Sequence, residues 1–182
     1  MTGRETELPA ASFVRWHRAA ARGVRFRPIE DADLPFLARL YASTRSEELA
    51  PVPWTQEQKA AFLDSQFQAQ HAHYQRHYPT ALWLVMLRGD CAIGRLYLDR
   101  WAHEHRLIDI ALLPEHRGHG LGAALLDDLI DEAAAAGKSL SIHVEKNNPA
   151  MALYRRLGFK PVGEHGVYDL LAIRPEVQAN TA

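Results

Sequence analysis

Between Ala81 and Leu113 the chain has three apolar runs in close succession, and a glycine-rich turn then carries it into an amphipathic helix. Few architectures accommodate that order. Ala81 to Leu87 and Cys91 to Leu98 are separated by Arg88-Gly89-Asp90, which reads as a hairpin turn. A further turn near Trp101 to Glu104 leads to Leu107–Leu113, which Pro114 stops, so three consecutive antiparallel strands are expected. From Leu121 to Ala136, Leu125, Leu126, Leu129, Ile130 and Ala133 fall on one side of a helix, with Asp127, Asp128, Asp131 and Glu132 on the other. Gly137 closes it.

The flanks complete a mixed sheet with helices. Val24 to Ile29 reads as a strand, and Glu30 to Asp33 supplies the acceptors and negative charge of a helix start. Leu34, Leu37, Leu40 and Tyr41 then recur at helical spacing. Pro51 and Pro53 interrupt, Thr55 and Gln58 form a capping box, and Leu63, Phe67 and Tyr74 continue one stripe toward Pro79. Ser139 to Val144 is a strand that leads to Asn148 as N-cap and Pro149 as first helical residue, with the helix ending near Gly158. Val167 to Ile173 is the last strand, after a turn at His165-Gly166. The expected fold class is therefore α/β (α+β), a mixed and mostly antiparallel sheet flanked by helices. At 182 residues and 47% apolar content this is one domain, at 23–174, with an N-terminal arm at 1–22 and a C-terminal tail at 175–182.

A formal charge of -1 offers no global attraction to nucleic acid or to an acidic membrane, so neither is an expected partner and any anion must be held locally. The first 22 residues have no continuous apolar core, and no segment approaches the ~20 apolar residues of a membrane span. A lone cysteine, Cys91, rules out an internal disulfide and suits a reducing compartment, so a soluble cytoplasmic protein is expected. His71 and His73 point to different sides of a helix, and His103 and His105 lie in a turn without acidic or cysteine ligands at metal spacing, so no metal is expected.

The segment Pro114-Glu115-His116-Arg117-Gly118-His119-Gly120-Leu121-Gly122 joins a strand end to a helix start. Unpaired amides and a partial positive charge gather there, and glycines let a phosphate approach the backbone. The turn lacks the Lys-Ser/Thr ending of a nucleotide-hydrolysing loop, and its glycines do not space as a dinucleotide fingerprint. By itself it is equally a flexible connection. Arg117-Gly118-His119-Gly120-Leu121-Gly122 resembles the pyrophosphate-binding pattern of the Gcn5-related N-acetyltransferase (GNAT) family, Arg or Gln, two residues, Gly, one residue, Gly or Ala. Asn148-Pro149-Ala150-Met151-Ala152-Leu153-Tyr154-Arg155-Arg156-Leu157-Gly158-Phe159 looks like the family's second signature. The two occur in the family's order, and the resemblance covers about residues 24–173.

The resemblance implies an acetyl-coenzyme A-dependent N-acetyltransferase that acts by direct transfer on a small-molecule or peptide amine. Arg117, Gly118, His119, Gly120, Leu121 and Gly122 would hold the pyrophosphate. Ala111, Leu112 and Leu113 would offer backbone groups to the pantetheine arm, and Asn148 would bond to the cofactor or only cap its helix. Tyr154 would protonate the departing sulfur, or be a core ring. An alkyl amine with a pKa near ~10 is neutral only about one part in a thousand at pH 7, a deficit of roughly 4 kcal/mol, so a base is needed as well. The family has no single base position: Asp109 is the candidate here, with a water as alternative, while a solvent-facing strand residue or an ion-pair partner for Arg106 or Arg95 is the structural reading of the same residue. Glu104, His143 and Glu145 are weaker candidates. Acceptor choice would fall to Leu34–Tyr78, with Gln66, Gln70, Tyr74 and the loop Ala50 to Trp54 lining a groove. A homodimer is compatible with the sequence, and a non-catalytic coenzyme A-binding module of the same fold is the rival reading.

Overall fold

The computed structural model describes residues 16–175. A short helix α1 (His17–Ala21) precedes β1 (Val24–Pro28), and a 3-10 turn at Asp31–Asp33 opens α2 (Leu34–Leu49), followed by α3 (Gln56–His77). Strands β2 (Leu82–Arg88), β3 (Cys91–Arg100) and β4 (Glu104–Leu112) come next, then a 3-10 turn at Pro114–His116 and α4 (Leu121–Ala135). The chain ends in β5 (Ser139–Glu145), α5 (Met151–Arg156), β6 (Lys160–His165) and β7 (Tyr168–Ile173). All strands join one seven-stranded sheet of order β1-β2-β3-β4-β5-β7-β6, antiparallel except between β4 and β5.

Strand alternation divides the core into two layers. Leu84, Met86, Leu96, Leu98, Leu107, Leu140 and Ile142 pack against Leu125, Leu126 and Leu129 of α4 on one face. Val85 meets Leu37, Leu40 and Phe67 of α2 and α3 on the other. Each fully buried leucine contributes about 2 kcal/mol, enough to set both helix orientations. Thr55 and Gln58 make the expected capping box, and Glu30 with Asp33 makes a second one.

Three features depart from the sequence reading. Residues 16–22, assigned to an arm, contain α1, whose Trp16 and Ala19 enter the core on α4; the rest of the arm, and the tail beyond residue 175, lie outside the described residues. The polar side of α4 is not all solvated. Asp128 is buried, its Oδ2 accepting from the Ala19 amide at 2.9 Å, and Glu132 accepts from Trp16 Nε1 at 2.8 Å and from Arg100 Nε. Strand β6 is an element the sequence does not mark, because Lys160 to His165 are all exposed and include a proline and a glycine, so no alternation appears.

Candidate functional site

Strands β4 and β5 pair over only four residues, Glu104–Leu107 against Ser139–Ile142. Ile108 is an extra residue in β4 between the pairs Leu98↔Leu107 and Tyr97↔Asp109, and such a bulge bends its strand. From that point Ile108–Leu112 and His143–Glu145 share no ladder, so the sheet opens as a wedge. Gly94 keeps β3 close to the departing strand: a Cβ there would run into the Ala111 carbonyl oxygen and lie 2.7 Å from Met86 Cε.

The same geometry fixes which strand groups face the wedge. Leu113 donates to Ile93 O at 2.9 Å, on the β3 side, and the two ends of a peptide unit point opposite ways, so the Leu112 carbonyl faces the opening. The Ala111 carbonyl is turned toward Gly94 and away from it. By the period of two, Ile110 presents its groups as Leu112 does. Sequence reasoning singled out Ala111 to Leu113; Leu112 and Ile110 are the residues whose backbone the strand offers.

The glycine turn stands at the wide end of the wedge. Gly118 and Gly120 take left-handed φ of 76° and 73°, which inverts the chain direction and turns successive amides to one side. Among the described residues nothing accepts from the six consecutive N–H groups of Gly118 to Ala123, and no side chain caps α4. Arg117 folds back over β4, its Nε donating to Leu112 O at 2.8 Å and Nη2 to Ser43 Oγ at 3.2 Å. His119, in the same turn, is exposed.

Tyr154 on α5 is buried and packs edge-on against Phe159 at 5.6 Å. Burial first, and the charge of Asp109 second, push its phenol well above the ordinary value, so the hydroxyl stays protonated at neutral pH. Asn148 Oδ1 accepts from the Ala150 amide at 2.8 Å within the preceding turn, while α5 starts at Met151 with Ala150 as its N-cap and no side-chain cap, two residues later than the Asn148-Pro149 start expected from the sequence.

Asp109 is ion-paired: its Oδ2 accepts from Arg95 Nη2 at 2.7 Å, and Gln70 Oε1 accepts from the same nitrogen at 3.1 Å. Arg106 instead bonds to Glu104, Ser141 and His143. Glu145 is held by both terminal nitrogens of Arg45, with the shorter contact at 2.7 Å, and that guanidinium, partly offset by burial, holds the carboxyl below its usual range. His143 is pushed below the ordinary imidazole value by burial and by Arg106. His105, expected in a turn, is buried in β4.

Beneath α2 and α3 lies a cleft of about 520 Å³ lined by Tyr41, Arg45, Phe62, Gln66, Gln70 and Glu145, among others. Gln70 connects it to the Arg95–Asp109 pair. Gln66 and Gln70 line it as expected from the sequence; Tyr74 and the loop Ala50 to Trp54, expected with them, do not. The Arg45–Glu145 contact went unseen because its partners lie 100 residues apart and neither stands in a motif.

Residues 39–159 match the model of the acetyltransferase (GNAT) family. The chain belongs to that family. It is 30% identical over 154 residues to a Bacillus subtilis protein provisionally named a ribosomal protein bS18-alanine N-acetyltransferase, covering 80% of this chain and 83% of that one. A mycothiol acetyltransferase of Beutenbergia cavernae is 35% identical over 99 residues, and the match spans only 32% of that relative's length. The fold resembles that of PaiA N-acetyltransferase from Thermoplasma acidophilum in complex with coenzyme A, with a TM-score of 0.63 at 17% identity over 83% of this chain and 98% of that one. A second GNAT fold of the same kind is the ribosomal-protein-S18-alanine N-acetyltransferase from Escherichia coli, with a TM-score of 0.55 at 22% identity over 87% and 98%.

Proposed function

We propose that the chain transfers the acetyl group of acetyl-coenzyme A directly to a primary amine. The observation that carries this reading is the run of six unbonded amides from Gly118 to Ala123 beside a strand edge released from its neighbour. Acceptor-free amides and a guanidinium suit a pyrophosphate, and the edge of Ile110 and Leu112, which no strand pairs and where only the Leu112 carbonyl already accepts from Arg117, suits the amide groups of a pantetheine arm. Those residues, with Arg117, would hold the donor. The bound donor supplies an activated thioester.

The remaining steps belong to this chain's side chains. As the amine nitrogen bonds to the acetyl carbon, the carbon–sulfur bond breaks and the sulfur takes a proton. Tyr154, whose hydroxyl is protonated at neutral pH, would give it. The amine proton leaves to a water or to Asp109 Oδ1, the oxygen that Arg95 does not occupy. The cleft containing Gln66, Gln70 and Glu145 receives the acceptor. Relatives named for a ribosomal-protein alanine and for mycothiol support a peptide or small-molecule amine. The domain is assigned to residues 23–174 with α1 docked against it, and the lone Cys91 supports a cytoplasmic setting.

A thermal-shift titration with acetyl-coenzyme A tests the reading. At ~100 times its Kd the ligand adds about 2.7 kcal/mol to stability. A shift in the intact protein that Gly120→Glu abolishes, followed by acetylation of an amine in a broad panel, supports it. No shift in a folded protein overturns it, and binding without transfer to any amine reduces it to a coenzyme A-binding module.

A further inference from the structure

Arg22 stands outside the segment that matches the family and outside every motif of the sequence reading. It follows α1, which Asp128 anchors to α4 through the amides of Arg18 and Ala19. That docking carries the Arg22 guanidinium to the glycine turn. Its Nη1 donates to His119 O at 2.9 Å, and its Nη2 lies 3.3 Å from where a Cβ on Gly120 would be. A side chain at residue 120 would displace it, so the glycine permits both the left-handed turn and the approach of the arginine.

The other cation of α1 is committed elsewhere. Arg18 is paired with Asp128 and Asp131. Arg22 has no carboxylate within ion-pair distance among the described residues, and its one hydrogen bond, to a carbonyl, leaves most of its five donors open. It lines an open depression of about 450 Å³ that continues from Gly120 along α4 past Ala123 and Ala124 to Asp127. Asp127 carries negative charge at the far end and makes no ion pair with Arg22, which leaves the positive end at the turn.

We propose that Arg22 is a second phosphate-binding cation of this site and contacts a phosphate group of coenzyme A from the side of α4 opposite Arg117. The proposal rests on the acetyl-coenzyme A reading above. A forked guanidinium can take two phosphate oxygens at once, and it adds a second full charge, beside that of Arg117, to a turn whose remaining donors are amides. The phosphate is either part of the pyrophosphate or the 3′-phosphate on the ribose, and both have the chemistry the depression accepts.

The test is titration calorimetry of the full chain, wild type and the Arg22→Ala and Arg22→Lys variants, with coenzyme A and with 3′-dephospho-coenzyme A. Arg22 is exposed, and equal melting temperatures without ligand check that the fold is intact. Arg22→Ala is expected to raise the Kd for coenzyme A about tenfold, and Arg22→Lys by a smaller factor because the charge remains. A penalty that persists with the dephospho compound assigns the contact to the pyrophosphate; one that disappears assigns it to the 3′-phosphate. A Kd for Arg22→Ala within about twofold of wild type overturns the role of Arg22 alone, since wild-type binding still supports the site. Failure of the wild type to bind either compound overturns this proposal together with the reading beneath it.

Discussion

Arg95 Nη2 and Asp109 Oδ2 meet at 2.7 Å in the layer between the sheet and α3, where the arginine side chain is 3% exposed and the aspartate 15%. Burial works against the guanidinium's charge, yet Asp109 and the neighbouring tyrosines hold its pKa above the ordinary value. Breaking such a pair from either side leaves a buried charge uncompensated. Arg95→Met and Asp109→Asn are each expected to lower stability in urea by about 3 kcal/mol. The double variant should lose at least about 1 kcal/mol less than their sum. Strict additivity would show that the contact carries no coupling.

Tyr154→Phe keeps the ring against Phe159 and removes only the hydroxyl. If that hydroxyl protonates the sulfur, kcat falls by about 10²-fold or more, while KM for acetyl-coenzyme A changes less than about twofold. Steady-state kinetics decides, and an unchanged kcat would remove Tyr154 from the chemistry.

Stability should fall at both ends of the pH range. Burial lowers the pKa of His71, His105 and His143. Below about 6.5 the unfolded chain therefore binds protons that the folded one refuses, and stability present above that pH is lost as it drops. Burial raises Tyr74 and Tyr154, and pushes Tyr97 up to about 12. Above about pH 10 the unfolded phenols ionise first, so stability is lost as pH rises. Tyr97 Oη is buried without a partner, so Tyr97→Phe should be neutral or stabilising by up to about 1 kcal/mol and should flatten the alkaline limb of the denaturation midpoint.

Gly94→Ala introduces a methyl group where the Ala111 carbonyl already stands. Backbone cannot step aside as a side chain can, so β3 and β4 must separate locally. The expected cost is at least about 2 kcal/mol in denaturant titration, with acetyl-coenzyme A binding weakened because Ile110 and Leu112 shift. An equally stable variant would mean that the strands tolerate a wider spacing.

Asp128→Asn replaces one of two oxygens that accept the amides of Arg18 and Ala19 with a donor. A loss of about 1–3 kcal/mol is expected, together with weaker coenzyme A binding in the same direction as Arg22→Ala. Unchanged binding in a destabilised protein would separate the docking of α1 from the phosphate site.

What could be read in the sequence was what local chemistry encodes. The Arg88-Gly89-Asp90 turn, the Thr55–Gln58 box and the Arg117 to Gly122 turn depend on neighbours a few residues away, and each occurs where the pattern places it. Helix α1 spans five residues with no stripe of its own, and it is ordered by Asp128, 109 residues from Ala19. Charges on a helix read as solvated until their partners are known, which is why Asp128 and Glu132 looked like surface. The Arg95–Asp109 pair was one of several readings open for Asp109, and only the strand register, with Asp109 opposite Tyr97 and Arg95 two residues before it, selects between Arg95 and Arg106.

The short β4–β5 pairing divides the sheet into two antiparallel ladders, β1 to β4 and β5-β7-β6, stitched by one brief parallel seam. Such halves are natural cooperative units for opening, with amide exchange at Ile142 and Leu107 reporting on the stitch rather than on either ladder. A molecule seated in the wedge would bond to β4 while packing against β5, acting as the missing length of ladder. Its binding would then slow exchange far from its own contacts, across both halves of the sheet.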